Sequence, residues 1–427
     1  MHRFNRMLAR STLFLAFSLV GQLGWSQIEI ERVSISSEGA QSSDIARAAS
    51  ISDDGNIVTF TAVDDSLAPG YSNPFDFGFS YFRVMDARQT EWVSIPTSVS
   101  RFPILPTVSG DGSRIYFVSN ESQLPGIEDP GSATNRLFSR EMTTGAIQLA
   151  LDTATSGCVG IDTSTLAVSG NGTKIVFKAP QCFVIENGNT EIQALWIYDS
   201  ISNIVTLISR NLDAMPISVL NGHAISNNGQ WVYFSTVSQV DGLGPENSNI
   251  RFYAYEVGSN TNVFLNIPDS SVHGSSLVQA ANITDDGRFV TFRSREATLV
   301  ENDTNGREDI FLFDRVSEQI DRISLNSDGS QVMQSSFNAS MTPTADRIVY
   351  VSAGKMILWE RDHDRRFNLL PGVQARGLEI SSNGRYVIGV VEDSQIDGED
   401  NGVPDVVRID LDRVYFLFSD SFELQES

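Results

Sequence analysis

Residues 283–315 read ITDDGRFVTFRSREATLVENDTNGREDIFLFDR, and most of the chain repeats that stretch with variations. Its first half has a short apolar lead, an Asp-Gly pair, then β-branched and aromatic residues. That order predicts a β-hairpin turning at Gly287. The same pattern returns at 51–61 (ISDDGNIVTFT), 108–119 (VSGDGSRIYFVS), 168–179 (VSGNGTKIVFKA), 225–235 (ISNNGQWVYFS), 341–352 (MTPTADRIVYVS) and 380–390 (ISSNGRYVIGV). The turn positions are Gly55, Gly112, Gly172, Gly229, Gly287, Ala345 and Gly384, at steps of 57, 60, 57, 58, 58 and 39 residues. Six copies keep glycine after Asp or Asn, where a positive φ costs little. The Thr344–Ala345 copy has lost both residues, so its turn is expected to be of another type or strained.

A second signature follows each hairpin: an apolar strand ending near an acid, a short turn and another strand. It is clear in YFRVMDARQTEWVSI (81–95), LWIYDSISNIVTLIS (195–209) and IFLFDRVSEQIDRISL (310–325). Two hairpins per period make four strands, the size of a propeller blade. The fold class that follows is all-β: a seven-bladed β-propeller of four-stranded antiparallel blades. Composition agrees, since 41% of the 427 residues are hydrophobic, yet no helical apolar period is sustained beyond the first residues. Runs such as IVTF, IYFV and WVYF are apolar throughout, as strands packed on both faces must be.

Arg32–Gly55 (RVSISSEGAQSSDIARAASISDDG) aligns without a gap to Arg322–Ala345 (RISLNSDGSQVMQSSFNASMTPTA). The first strand therefore reads as the fourth strand of a blade whose other three lie in 379–410. Pairing of the N- and C-terminal strands would close the ring and remove an open edge. In the competing reading, 415–418 supplies the last strand and 28–35 is an added edge.

Residues 1–26 have Arg3, Arg6 and Arg10, an apolar run from Leu13 to Val20, and small residues before Gln27. They read as a secretory signal too short to span a bilayer. The expected layout is a leader at 1–26, one propeller at 27–418 and a short tail at 419–427, exported to the periplasm or the medium and monomeric. The formal net charge of −23 becomes about −26 without the leader, because three arginines and no acids leave. Such a surface should repel nucleic acid and anionic lipid. Cys158 and Cys182 flank the third hairpin at mirror positions about its turn, which predicts one disulfide in an exported protein; two separate buried thiols are the alternative.

The segments between second and third strands are long and acidic. In LVENDTNGREDIFLFDR (299–315), Asp303, Asn305 and Asp309 place oxygens around Gly306; Glu399, Asn401 and Asp405, with Asp397 nearby, repeat this around Gly402. Ca²⁺ takes such oxygens on a glycine-tightened turn. The complete calcium-loop spacing and its bidentate glutamate are missing, and Asx-turns capping a strand use the same residues. Both readings stand.

The paired pattern S-x-D/N-G-x-x-V/I-x-F and D-T-N-G-x-x-D-I/V-F-x-x-D-R, nearly intact at 283–315, resembles the WD40-like (PD40) repeats of TolB-type β-propellers. The resemblance implies a ring of blades and export. It also implies roles as protein-binding platforms, as regulatory caps on peptidases and, more rarely, as lyases. The blades begin right after the leader, leaving no room for the N-terminal α/β domain of TolB itself. The ending FLFSDSFE (416–423) resembles short aromatic endings of some secreted bacterial proteins.

Catalytic signatures are sparse. No HExxH, nucleophile elbow, P-loop or dinucleotide glycine fingerprint occurs. His223 and His273 precede first strands and could reach one mouth of the central channel, where acid–base work on a polysaccharide is the enzymatic alternative. The leading expectation is a non-catalytic platform for a protein or glycan, with Ca²⁺ as a possible brace; a purely structural envelope protein is the third reading. Any ligand should sit on the face with the long loops.

Overall fold

A computed structural model describes residues 30–70, 78–94, 104–119, 124, 135–151, 160–162, 166–180, 192–220, 222–245, 250–267, 282–392 and 401–413. The expected leader, tail and disulfide cysteines lie outside these residues.

Seven four-stranded antiparallel sheets form blades 1 to 7, at 46–92, 104–149, 166–207, 224–265, 282–322, 336–368 and 375–410. Each of the first six takes its strands in chain order, from inner to outer. The fourth strand of blade 7 is Ile30–Arg32, which pairs antiparallel with Asp405–Asp410 through Ile30↔Ile409, Glu31↔Arg408 and Arg32↔Val407. The two ends of the chain thus share one sheet. Each inner strand lies against the inner strands of the two adjacent blades all the way round.

The apolar runs are explained by the blade interfaces. In blade 4, Val232 and Phe234 pack toward Val176 and Ile197 of blade 3, while Tyr233 between them packs toward Val290 and Phe292 of blade 5. Seven such clusters exist among the described residues, one per interface. Aromatic neighbours within them stack, as Phe292 does on Phe311 with centroids 5.4 Å apart. A strand with two buried faces cannot alternate in polarity.

The repeated turn has one chemistry in all seven blades. A hydroxyl three residues before the turn position donates to the Asp or Asn side chain of the turn, as Ser52 does to Asp54 at 2.6 Å and Ser381 to Asn383 at 2.7 Å. The same hydroxyl accepts the backbone N–H that opens the second strand, as Ser52 does from Ile57 at 2.9 Å. Ser109, Ser169, Ser226, Thr284 and Thr342 repeat this pair of bonds. The Ala345 copy keeps the turn type: Ala345 has φ +55°, against +75° at Gly55, and its N–H reaches the Thr342 carbonyl at 2.9 Å. Its carboxylate has moved two residues along, to Asp346, which accepts from Thr342 and Thr344. Of the two expectations for this turn, strain is the one realised.

Glycine has a second reason at two of these turns. A β-carbon on Gly55 would lie 2.1 Å from the Tyr386 ring of blade 7, and one on Gly287 would lie 2.4 Å from the Trp231 indole of blade 4. The residue opening one blade's second strand covers the next blade's turn. Arginines then cap these rings, Arg408 over Tyr386 at 4.4 Å and Arg315 over Trp231 at 4.6 Å.

Candidate functional site

The seven first-hairpin turns emerge on one face of the ring. The segments between second and third strands, and the connections between blades, emerge on the other. The turn face is stitched from blade to blade: Asp53 N–H to the Gly110 carbonyl and Asp111 N–H to the Gly170 carbonyl, both 2.7 Å. Gly170 continues to Asn227, and Asp285 to Pro343. Across the axis, the Asn227 amide reaches the Asp53 carboxylate at 3.4 Å, joining blade 4 to blade 1. This end of the channel is narrow.

Just inside it stands Glu379. Its counterparts five residues before each turn position are Ser50, Thr107, Ala167, Ala224, Asn282 and Ser340, all small or neutral. Ser50, Ser340 and Glu379 do one job there, accepting a backbone N–H of the next inner strand at Val108 (2.9 Å), Ile380 (3.2 Å) and Ile51 (3.4 Å) respectively. The Glu379 side chain is partly exposed to the channel yet enclosed by protein. Burial, aided by the Asp53 charge, pushes its pKa up to about 8 against the bond from Ile51. Asp285 is likewise raised by burial, with Asp53 contributing.

At the loop-face end the buried group is His223, which leads into the inner strand of blade 4. It is 9% exposed, and its ring makes no well-formed hydrogen bond, although a backbone group of Val176 lies close enough to oppose part of the effect of burial. Burial, then the Lys178 charge, lowers its pKa to about 4, so the imidazole is neutral near pH 7. Lys178 is itself buried and forms an ion pair with Asp162 at 3.0 Å. His223 is buried just before the inner strand of blade 4, with Lys178 and Asp162 as neighbours no motif announced. His273 lies outside the described residues.

The acidic loops are occupied by the chain's own groups. Asp309 accepts from the Ser324 hydroxyl at 2.6 Å and from the Asn305 amide at 3.0 Å, with the Arg322 guanidinium 3.9 Å away. Arg322 also lies 3.4 Å from Asp303, which accepts from Gln331 at 3.0 Å. Asn305 turns its oxygen to the Arg307 N–H at 2.8 Å, an Asx-turn. Burial pushes the Asp309 carboxyl above its ordinary value. Blade 7 repeats the arrangement across the chain ends: Asp405 accepts from Ser34 at 2.7 Å and pairs with Arg32 at 2.7 Å. Asn401 donates to the Ser42 carbonyl at 2.6 Å and accepts from the Val403 N–H at 3.1 Å. Asp397 and Glu399 lie outside the described residues.

Arg32, Ser34, Arg322 and Ser324 were missed as members of these loops. The signal was present, because the gapless alignment of 32–55 with 322–345 superimposes both pairs. Among the described residues, no three His, Cys, Asp or Glu side chains are grouped so as to hold a metal ion. No helix there is long and apolar enough to cross a membrane.

No protein-family model matches the chain, and no curated protein matches it in sequence. Solved structures match in fold. The β-propeller domain of the trilobed protease from Pyrococcus furiosus is 11% identical over 86% of this chain and 96% of that one, with a TM-score of 0.54. An oligogalacturonate lyase in complex with manganese is 9% identical over 94% and 98%, with a TM-score of 0.52. TolB from Acinetobacter baumannii also matches, at 14% identity and a TM-score of 0.39, over 68% of this chain and 58% of its own. At these identities the likeness establishes the β-propeller fold and says nothing of a ligand.

Proposed function

We propose that this protein is an exported, non-catalytic β-propeller whose long-loop face is a platform for a protein or glycan ligand. One observation carries this reading. The turn face repeats one hydrogen-bonded unit seven times and is joined across the axis at Asp53 and Asn227, leaving the variable loops on the opposite rim as the surface that differs from blade to blade. A rigid scaffold presenting unlike loops is suited to recognition. A glycan array and a pull-down from culture supernatant, each with and without Ca²⁺, test it. A ligand bound but not turned over is the expected result; turnover of a bound polysaccharide refutes it.

A polysaccharide lyase or hydrolase is the second reading, favoured by the buried, neutral His223 beside Lys178. It predicts that H223A and H273A together abolish such an activity. For the acidic loops we favour the structural role, because Arg322 and Arg32 already stand where a cation would neutralise Asp303, Asp309 and Asp405. EDTA should therefore leave the melting temperature unchanged. A fall restored by Ca²⁺ would reinstate the metal.

A further inference from the structure

The outer strand of blade 3 leaves through a tight fold-back in which Arg210 pairs with Pro216. Two other blade exits have the same fold-back, closed by Ile35 with Gln41 and by Leu325 with Gln331. Their tips are polar or small, Ser37-Glu38-Gly39-Ala40 and Ser327-Asp328-Gly329-Ser330. The blade 3 tip is Leu212-Asp213-Ala214-Met215. Leu212 is 79% exposed and Met215 44%. The left-handed residue is also changed: Ala214 has φ +58° where the sister loops have Gly39 and Gly329.

A second loop from blade 4 completes the surface. It bends at Asp241, another non-glycine with positive φ (+49°), and presents Leu243, 36% exposed. Leu212 lies over this bend, since a β-carbon on Gly242 would be 3.0 Å from its side chain. Both loops are held. Arg210 donates to the Asp241 carboxylate at 3.1 Å and accepts the Asp241 N–H at 2.9 Å. Asn262 donates to Asp241 at 2.8 Å, and Tyr253 to the Leu243 carbonyl at 2.9 Å. Apolar side chains fixed in the open, on a backbone held in strained conformations, have lost their freedom before any partner arrives. Isolated exposed apolar residues need no explanation, but Leu212 laid over the bend that presents Leu243, with Met215 exposed on the same tip, does.

We propose that Leu212, Met215 and Leu243 form a docking surface for a partner-protein segment that presents an apolar side chain flanked by lysine or arginine. This rests on the platform reading above and names the partner chemistry. Asp213 stands exposed within the tip, and the chain has 53 acidic against 30 basic residues, so a basic flank is attracted. A second copy would bring the same acidic surface against itself.

The test is selection of a random displayed peptide library on the full chain, then binding of the synthesised consensus peptide. The enriched peptides should combine an apolar side chain with Lys or Arg, and high salt should weaken the consensus peptide. L212S/M215S should weaken it by about tenfold or more with an unchanged melting temperature. D213K, which leaves the apolar contact intact, should weaken the salt-sensitive part alone. Acidic consensus peptides, or peptides that bind L212S/M215S as tightly as the wild type, overturn the surface while leaving the platform reading standing. Self-association dissolved by L212S/M215S overturns it in favour of a second copy. An empty selection overturns it too; the platform reading falls with it only if the glycan array and supernatant pull-down are also blank.

Discussion

The two faces of the ring are built by opposite rules. On the turn face one unit, a hydroxyl bonded to an Asp or Asn side chain, recurs in every blade, so each turn is built like its neighbours. On the loop face similar residues meet different partners. Asp309 is held by Ser324, 15 residues further along, and by Arg322 of the same blade, whereas Asp405 is held by Ser34 and Arg32 from the N-terminal strand region. Chemistry that orders a local loop in blade 5 closes the molecule in blade 7. What an interaction does for a propeller depends on which segments it joins, more than on its own strength.

The sharpest way to break this comparison is to remove the corresponding buried aspartate in both places. Removing one partner of a buried pair costs about 3–5 kcal/mol, so D309A and D405A should both be strongly destabilised in urea unfolding. D405A should also broaden the transition, because it frees the terminal strand. Equal, still-cooperative losses would mean that closure contributes nothing beyond the local pair.

The two channel ends provide an opposite pair of pH responses. His223 has a folded pKa depressed from 6.5 to about 4, so its contribution is full above 6.5, fades as pH falls toward 4 and levels off below. The loss should reach roughly 3 kcal/mol, and H223L should remove it. Glu379 has a folded pKa raised from 4.5 to about 8, so stability is full below 4.5 and falls as pH rises toward 8. Allowing for its partial exposure to the channel, that loss should be roughly 2 kcal/mol, flattened by E379Q. Urea midpoints between pH 4 and 9 read both, and a wild-type profile unchanged by either variant refutes the assignments.

The smallest effect tests the interchangeability of the turns. A345G should stabilise by up to about 1 kcal/mol, because glycine relieves the left-handed strain at that one turn. A loss of stability would show that the blade 6 turn is no longer equivalent to the other six.

Much of the fold was legible because its signals are local. The Asp-Gly hairpins, doubly apolar strands and matched 23-residue step from Arg32 to Gly55 and from Arg322 to Ala345 lie within single periods of the repeat. The site was less legible because its contacts join distant segments. Tyr386 covering Gly55, Asn227 reaching Asp53 and Arg32 meeting Asp405 depend on ring geometry that no short motif encodes. Glu379 could have been singled out as the one acid in a column of small neutral residues. The burial that neutralises it could not.

The pairing of Ile30–Arg32 with Asp405–Asp410 also sets a timetable. Ile30–Arg32 is synthesised before the other strands of the seven blades yet belongs to the sheet completed last, so it must stay unpaired while the other six blades assemble beside it. Anything that engages those few residues in that interval, a chaperone or a neighbouring chain's exposed edge, would hold the nearly finished molecule open.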